Sequence, residues 1–229
     1  MISFIKQCVF LLMLLSVSVG IAGKFGFSPE FLQEIAAQFG YRAQDRVVAW
    51  QELIEKNQAG DDYQKIFAVN RFFNKVRFIS DKKHWARNDY WATPVEFLST
   101  NGGDCEDFSI AKYFTLRELG VPDEKLRITY VKALRLNQAH MVLAYYPTSQ
   151  SDPLILDNLI KKIRRASTRN DLLPVYSFNG KDLWVAKERG QGRKLAGGSQ
   201  RIDLWRDLNV RMKKERNLGL SYTIESMIK

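Results

Sequence analysis

The apolar pattern of this chain changes period at Gly120-Val121-Pro122, and that change limits the folds open to it. Upstream, apolar residues recur at helical spacing. Ser28 is placed to cap a first helix with Pro29 at its first position, and Phe31, Leu32, Ile35, Ala36 and Phe39 form one face ending at Gly40. A second helix carries Val47, Val48, Trp50, Leu53 and Ile54. A third, after Gly60-Asp61-Asp62, carries Tyr63, Ile66, Phe67, Asn70, Phe72 and Phe73. Thr93-Pro94-Val95-Glu96 has capping-box spacing and opens a short helix through Leu98. After a turn at Asn101-Gly102-Gly103, Asp104 caps a helix that starts at Cys105, closes at Gly120 and buries Phe108, Ala111, Phe114 and Leu119.

Downstream the residues alternate. Leu126, Ile128 and Tyr130 mark one strand, His140, Val142 and Ala144 a second, and Leu154-Ile155-Leu156-Asp157 a third. Tyr176 to Val185 reads as a hairpin around Asn179-Gly180. Helices first and strands later predict an α+β fold with an antiparallel sheet and a cysteine at a helix N-terminus.

The first residues place Lys6 before a mostly apolar run from Cys8 to Val19 and then Gly20-Ile21-Ala22, the layout of a secretory leader. The expectation is a signal peptide over 1–22, export to the periplasm and one domain over 23–229. Losing the leader removes Cys8 and leaves Cys105 as a lone thiol where cysteines usually pair. The formal charge of +10 suits acidic partners or peripheral contact with an anionic membrane. The basic clusters at 161–165, 187–201 and 211–216 carry no interleaved base-stacking motif, so nucleic acid is not expected, and each reads first as a solvated face.

Chemistry concentrates in Gly102-Gly103-Asp104-Cys105-Glu106-Asp107. A thiol at a helix start meets unpaired N–H groups and the positive end of the helix dipole, which favour thiolate and can hold an oxyanion. The two glycines let the backbone turn and leave room for a substrate chain. A thiolate nucleophile needs a base and a group to orient that base, and the strand region supplies candidates for both in His140 and Asp157. Each residue alone has a plainer reading: Cys105 as a small core residue, His140 as a structural strand histidine, Asp157 as the start of a turn. Three carboxylates, Asp104, Glu106 and Asp107, flank a thiol that must ionise. They either complement the helix dipole or are offset by a hard cation on oxygen ligands.

The segments Trp91-Ala92-Thr93-Pro94-Val95-Glu96-Phe97, Gly103-Asp104-Cys105-Glu106-Asp107-Phe108, Ala139-His140-Met141-Val142-Leu143 and Leu156-Asp157-Asn158, with Lys112 and Leu119-Gly120, resemble the bacterial transglutaminase-like cysteine peptidases, the LapG-like periplasmic proteases. The resemblance spans roughly residues 28 to 185. It implies a papain-like, transglutaminase-like core, a Cys105–His140–Asp157 triad, and calcium held partly by Asp104 and Glu106, with Asp107 a weaker candidate. It also implies a substrate, the N-terminal region of a large LapA-like surface adhesin whose cleavage disperses a biofilm, and an inner-membrane LapD-like receptor of cyclic di-GMP that sequesters the enzyme. A transglutaminase or amidase would use the same triad, and a non-catalytic binding module could share the fold.

Three further expectations concern single features. Trp91 is either a core aromatic or a cleft residue whose indole N–H aids an oxyanion. His84 reads as a solvated loop residue, and the basic stretch 161–169, following Asp157, as a surface that steers an acidic substrate or partner.

Overall fold

The computed structural model describes residues 25–187, 190–217 and 220–221; the leader expected over 1–22 lies outside them. After β1 (Gly26–Phe27) come α1 (Pro29–Phe39), α2 (Tyr41–Asn57) and α3 (Asp62–Phe73). Ser28 Oγ caps α1 by accepting the Phe31 N–H at 3.2 Å. Asp61 and Gln64 exchange side-chain-to-backbone bonds of 2.8 and 3.0 Å at the start of α3. The face of α3 differs from expectation. Val69 joins Ile66 and Phe73 in the core, while Tyr63 and Phe67 are exposed, so the apolar stripe is narrower than the aromatic count suggested.

Then follow β2 (Arg77–Phe78), the short α4 (Asp81–His84), α5 (Pro94–Thr100), β3 (Gly102–Gly103) and α6 (Cys105–Glu118). The predicted capping box of α5 is present, with Thr93 and Glu96 exchanging bonds of 3.1 and 2.8 Å. α6 is buried along most of its length. It packs on α3, α5 and the sheet, and its Thr115 accepts the buried Trp50 indole N–H of α2 at 2.8 Å.

The strands are β4 (Leu126–Ala133), β5 (Gln138–Tyr145), β6 (Leu154–Leu156), β7 (Arg164–Arg165), β8 (Leu172–Phe178), β9 (Leu183–Lys187) and β10 (Gly190–Lys194). They form one antiparallel sheet in the order β10-β9-β8-β4-β5-β6-β7. The β8–β9 hairpin is present, but Phe178 pairs with Leu183, leaving four residues in the loop rather than a two-residue turn. There Asn179 Oδ1 accepts the N–H groups of Lys181 and Asp182. Last come α7 (Asp203–Asn217) and β11 (Leu220–Ser221), which pairs with β1. α7 departs from the expectation of a solvated basic face at 211–216. Trp205, Leu208 and Met212 nevertheless bury one side of it, with Trp205 stacked on Phe114 at 5.4 Å. Among the described residues no helix is long and apolar enough to cross a membrane.

Candidate active site

Cys105 opens α6 at the end of a tightly built turn. Asn101 takes the left-handed conformation (φ 53°) that ends α5, and Gly102 and Gly103 then pair in parallel with Arg77 and Phe78. Both glycines are buried. A Cβ on Gly102 would lie 2.6 Å from Ile79 Cδ1, and one on Gly103 would collide with the Asp107 carboxylate and lie 2.7 Å from Phe97 Cδ2. The space their missing side chains leave is therefore filled by the protein, and the expected room for substrate is not there. Asp107 explains the tightness: Oδ1 accepts the Ala92 N–H at 2.7 Å and Oδ2 the Asp104 N–H at 3.0 Å, tying the α5 entrance to the α6 entrance.

β5 meets the start of α6, where the Met141 backbone N–H lies close enough to the Cys105 sulfur to favour thiolate. β5 and β6 pair with Leu143 opposite Leu156. Carried one residue on, this register puts Asp157 opposite Val142, one pleat from His140. His140 Nε2 and Asp157 Oδ1 are 2.8 Å apart and both residues are buried. Asp157 Oδ1 also accepts the Leu159 N–H at 2.9 Å, and Oδ2 accepts Arg169 Nη2 at 2.7 Å. Burial would raise the Asp157 pKa, but His140, the Leu159 N–H and Arg169 outweigh it and hold the carboxyl well below the usual carboxylate range. An ionised Asp157 only accepts, so Nε2 carries the ring hydrogen and Nδ1 of the neutral imidazole is the basic nitrogen.

Arg169 was expected among steering residues on the surface. It is instead buried, and donates through Nε and Nη2 to Asp171 at 2.9 and 2.8 Å as well as to Asp157. The stretch 161–169 thus divides: Arg164 and Arg165 are exposed on β7, while Arg169 turns inward to the acid.

The Cys105 thiol donates to Glu106 Oε2 at 3.1 Å. Beyond the three carboxylates visible in the sequence motif, the fold adds Asp81 from α4 and Asp89 from the loop after it. Ligand-type atoms of Asp104, Cys105 and Glu106, of Asp81, Asp104 and Asp107, and of Asp81, Asp89 and Glu106 each lie within 4.8 Å of one another. Among the described residues no lysine or arginine forms an ion pair with these five acids. Burial, then the charge of Asp104, raises Asp81 to about 6; burial, then Asp104, raises Glu106 to about 10. Burial also pushes Asp107 well up despite its two N–H donors, and Asp89 is raised by burial. The Cys105 thiol is raised well above its usual value by burial, then by Glu106 and Asp104.

Like charges about 4 Å apart repel by about 4 kcal/mol at an effective dielectric near 20. Protonating a carboxylate at neutral pH costs about the same, at roughly 1.4 kcal/mol for each unit above its ordinary pKa. Several such pairs therefore outweigh ionisation unless positive charge arrives. Asp104 Oδ1 and Asp81 Oδ1 are buried without a hydrogen-bond partner, and carboxylate oxygens dominate the set. That fits a hard divalent cation better than a soft one.

The remaining expectations resolve simply. Trp91 stacks on Phe178 at 5.6 Å and 11°, its side chain favours the ionised form of Asp89, and its carbonyl accepts Arg211 Nη2 at 2.5 Å. It is a buried core aromatic beside the acidic cluster. His84 closes α4, half-buried, with Nε2 2.8 Å from Thr100 Oγ1, and is not a solvated loop residue.

Residues 38–190 match the model of the bacterial transglutaminase-like cysteine proteinases. The fold is similar to Legionella pneumophila LapG treated with EGTA, at 46% identity over 80% of this chain and 96% of that one, with a TM-score of 0.71. It is also similar to calcium-bound Legionella pneumophila LapG, at 46% identity over 80% of this chain and 98% of that one, with a TM-score of 0.69. No curated protein matches the chain.

Proposed function

The chain belongs to the bacterial transglutaminase-like cysteine proteinase family, and from that premise we propose that it is a calcium-requiring endopeptidase acting through Cys105, His140 and Asp157. The observation that carries this reading is the meeting, at the start of α6, of a thiol, five buried or clustered carboxylates and a β5 strand bearing an imidazole already bonded to an ionised acid. In the reaction His140 Nδ1 takes the thiol proton, the sulfur adds to the scissile carbonyl, and the ring returns the proton to the leaving amine. His140 then activates the water that releases the acyl group. Backbone N–H groups at the α6 N-terminus face the developing oxyanion. Asp104, Glu106, Asp81 and Asp89 are the residues that would hold calcium, with Asp107 committed to the backbone. Bound there, calcium supplies positive charge beside a thiol otherwise opposed by carboxylates.

The substrate in this reading is the N-terminal region of a large surface adhesin, cut in the periplasm and controlled by an inner-membrane receptor of cyclic di-GMP. The likeness to LapG, the leader-like residues 1–22 and the lone thiol support it. Purified protein with calcium is expected to cut an adhesin N-terminal fragment from the same genome at one site, and Cys105→Ala to leave it whole. Equal cutting by Cys105→Ala, or no cutting of any such fragment, would overturn the proposal.

An acidic partner in this reading docks on a basic groove. A groove of about 620 Å³ between α3 and residues 161–163 is lined by Arg71, Lys75, Lys161 and Lys162 beside the exposed Phe67. Lys161→Glu with Lys162→Glu is expected to slow association with the receptor or the adhesin fragment and to flatten its salt dependence. Stopped-flow association at two ionic strengths measures this; superimposable rates would confine the groove to solvent.

A further inference from the structure

Lys112 lies seven residues beyond Cys105 on the same helix, two turns or about 10 Å along it. It is 1% exposed, an unusual place for an ammonium. Its hydrogen bond goes to Asn74 Oδ1 at 2.9 Å, and the Phe108 ring lies 5.8 Å from Nζ. Asn74 is also buried, and its Nδ2 donates to the Asp157 backbone carbonyl at 2.9 Å and to Asn70 Oδ1 at 3.2 Å. Asn70 in turn donates to the Lys161 carbonyl at 2.8 Å. The loop that leaves β6 is therefore stapled to α3 at both ends, at Asp157 and at Lys161.

An amide can present its oxygen or its nitrogen to either side, and only one orientation gives Asp157 a donor. Asn70 favours that orientation from one side by accepting from Asn74 Nδ2, and lysine fixes it from the other, since a charged ammonium only donates and so demands the Asn74 oxygen. We propose that Lys112 is a positioning residue for the triad: it locks the Asn74 amide, which grips the Asp157 main chain and sets where the acid meets His140. The helix that carries the nucleophile thereby also fixes the distance to the acid of the opposing strand. Burial lowers the hold of Lys112 on its proton, to about 7, while nearby Asp157 opposes that loss. A purely structural core position would be filled by leucine or methionine at far lower desolvation cost. The inference rests on the peptidase reading.

The test uses the calcium-loaded full chain and iodoacetamide, following alkylation of Cys105 against pH. Lys112→Met keeps length and removes the donor. It is expected to slow alkylation about 10- to 100-fold at neutral pH and to move the profile toward that of an unassisted thiol. Asn74→Ala, with Lys112 retained, is expected to do the same, and the double variant no more than either alone, because the residues act as one unit. If Lys112→Met does not fold, Asn74→Ala decides. A wild-type profile in whichever variant folds, or additive losses, overturns the role. His140→Ala separates the two levels: an altered profile there with an unaltered one in Lys112→Met rejects only Lys112, whereas unaltered profiles in both reject the triad.

Discussion

Excess chelator is expected to reduce cleavage by at least about 10²-fold, the scale of losing electrostatic support at the reacting centre, and calcium to restore it better than magnesium. The reason lies in where the thiol proton goes. Without added positive charge, Cys105 donates to Glu106, and burial together with Glu106 and Asp104 holds the thiol well above its ordinary pKa. The helix dipole and the Met141 N–H pull the other way, but a partial charge of about half a unit is small against several clustered carboxylates. Iodoacetamide should consequently alkylate Cys105 slowly in chelator and quickly in calcium, a readout that needs no substrate. Asp104→Ala and Glu106→Ala should lose calcium uptake in calorimetry along with cleavage, and Asp81→Asn or Asp89→Asn should weaken uptake while the thiol and its base stay in place. Undiminished cleavage in chelator, with no calcium bound, would remove the cation from the account.

His140→Ala is expected to lower kcat by about 10² to 10⁴, the usual contribution of a positioned general base. Asp157→Asn should be milder than His140→Ala yet well below wild type, for a reason specific to this site. The two carboxylate oxygens accept from two different donors, His140 on Oδ1 and Arg169 on Oδ2. An amide has one oxygen, so one of the two N–H groups must then face another donor. If the oxygen turns to Arg169, the imidazole meets an NH₂ group and loses the tautomer that leaves Nδ1 basic. Steady-state kinetics with far-ultraviolet circular dichroism as a folding control would measure this. Full activity in His140→Ala would take it out of the reaction.

Local chemistry makes much of this molecule legible in its sequence. Ser28, Thr93 with Glu96, and Gly120 mark helix ends by satisfying or releasing specific backbone groups, and such signals lie within a few residues of what they specify. Cys105 is the first residue of its helix as expected, and His140 and Asp157 do meet. What stayed hidden is non-local. Asp81 reaches Asp104 only because Arg77 and Phe78 pair with Gly102 and Gly103, a two-residue ladder that no periodicity reveals. Arg169 reads in sequence like its charged neighbours, and only the fold brings it to the Asp157 carboxylate. α7 had a readable signal in the i, i+3, i+7 spacing of Trp205, Leu208 and Met212, but its charge density masked it. Arg211 on that helix, read as solvated, donates to Glu96 at 2.5 Å and to the Trp91 carbonyl.

Among the described residues no further strand pairs with either end of the seven-stranded sheet, and such edges make self-association a physical hazard. Each end is blunted differently. β7 is two residues long, and both are exposed arginines that repel a second copy of themselves. β10 pairs with β9 through a register shift between Gly190 and Arg193, and such a bulge twists the outer strand away from the flat geometry another strand would need. Stacking of one copy on another through these margins is thereby disfavoured. An extended peptide likewise gains little by lengthening the sheet, so a bound chain must be gripped by side chains and helix-end N–H groups, and selectivity follows from its side chains more than from its backbone.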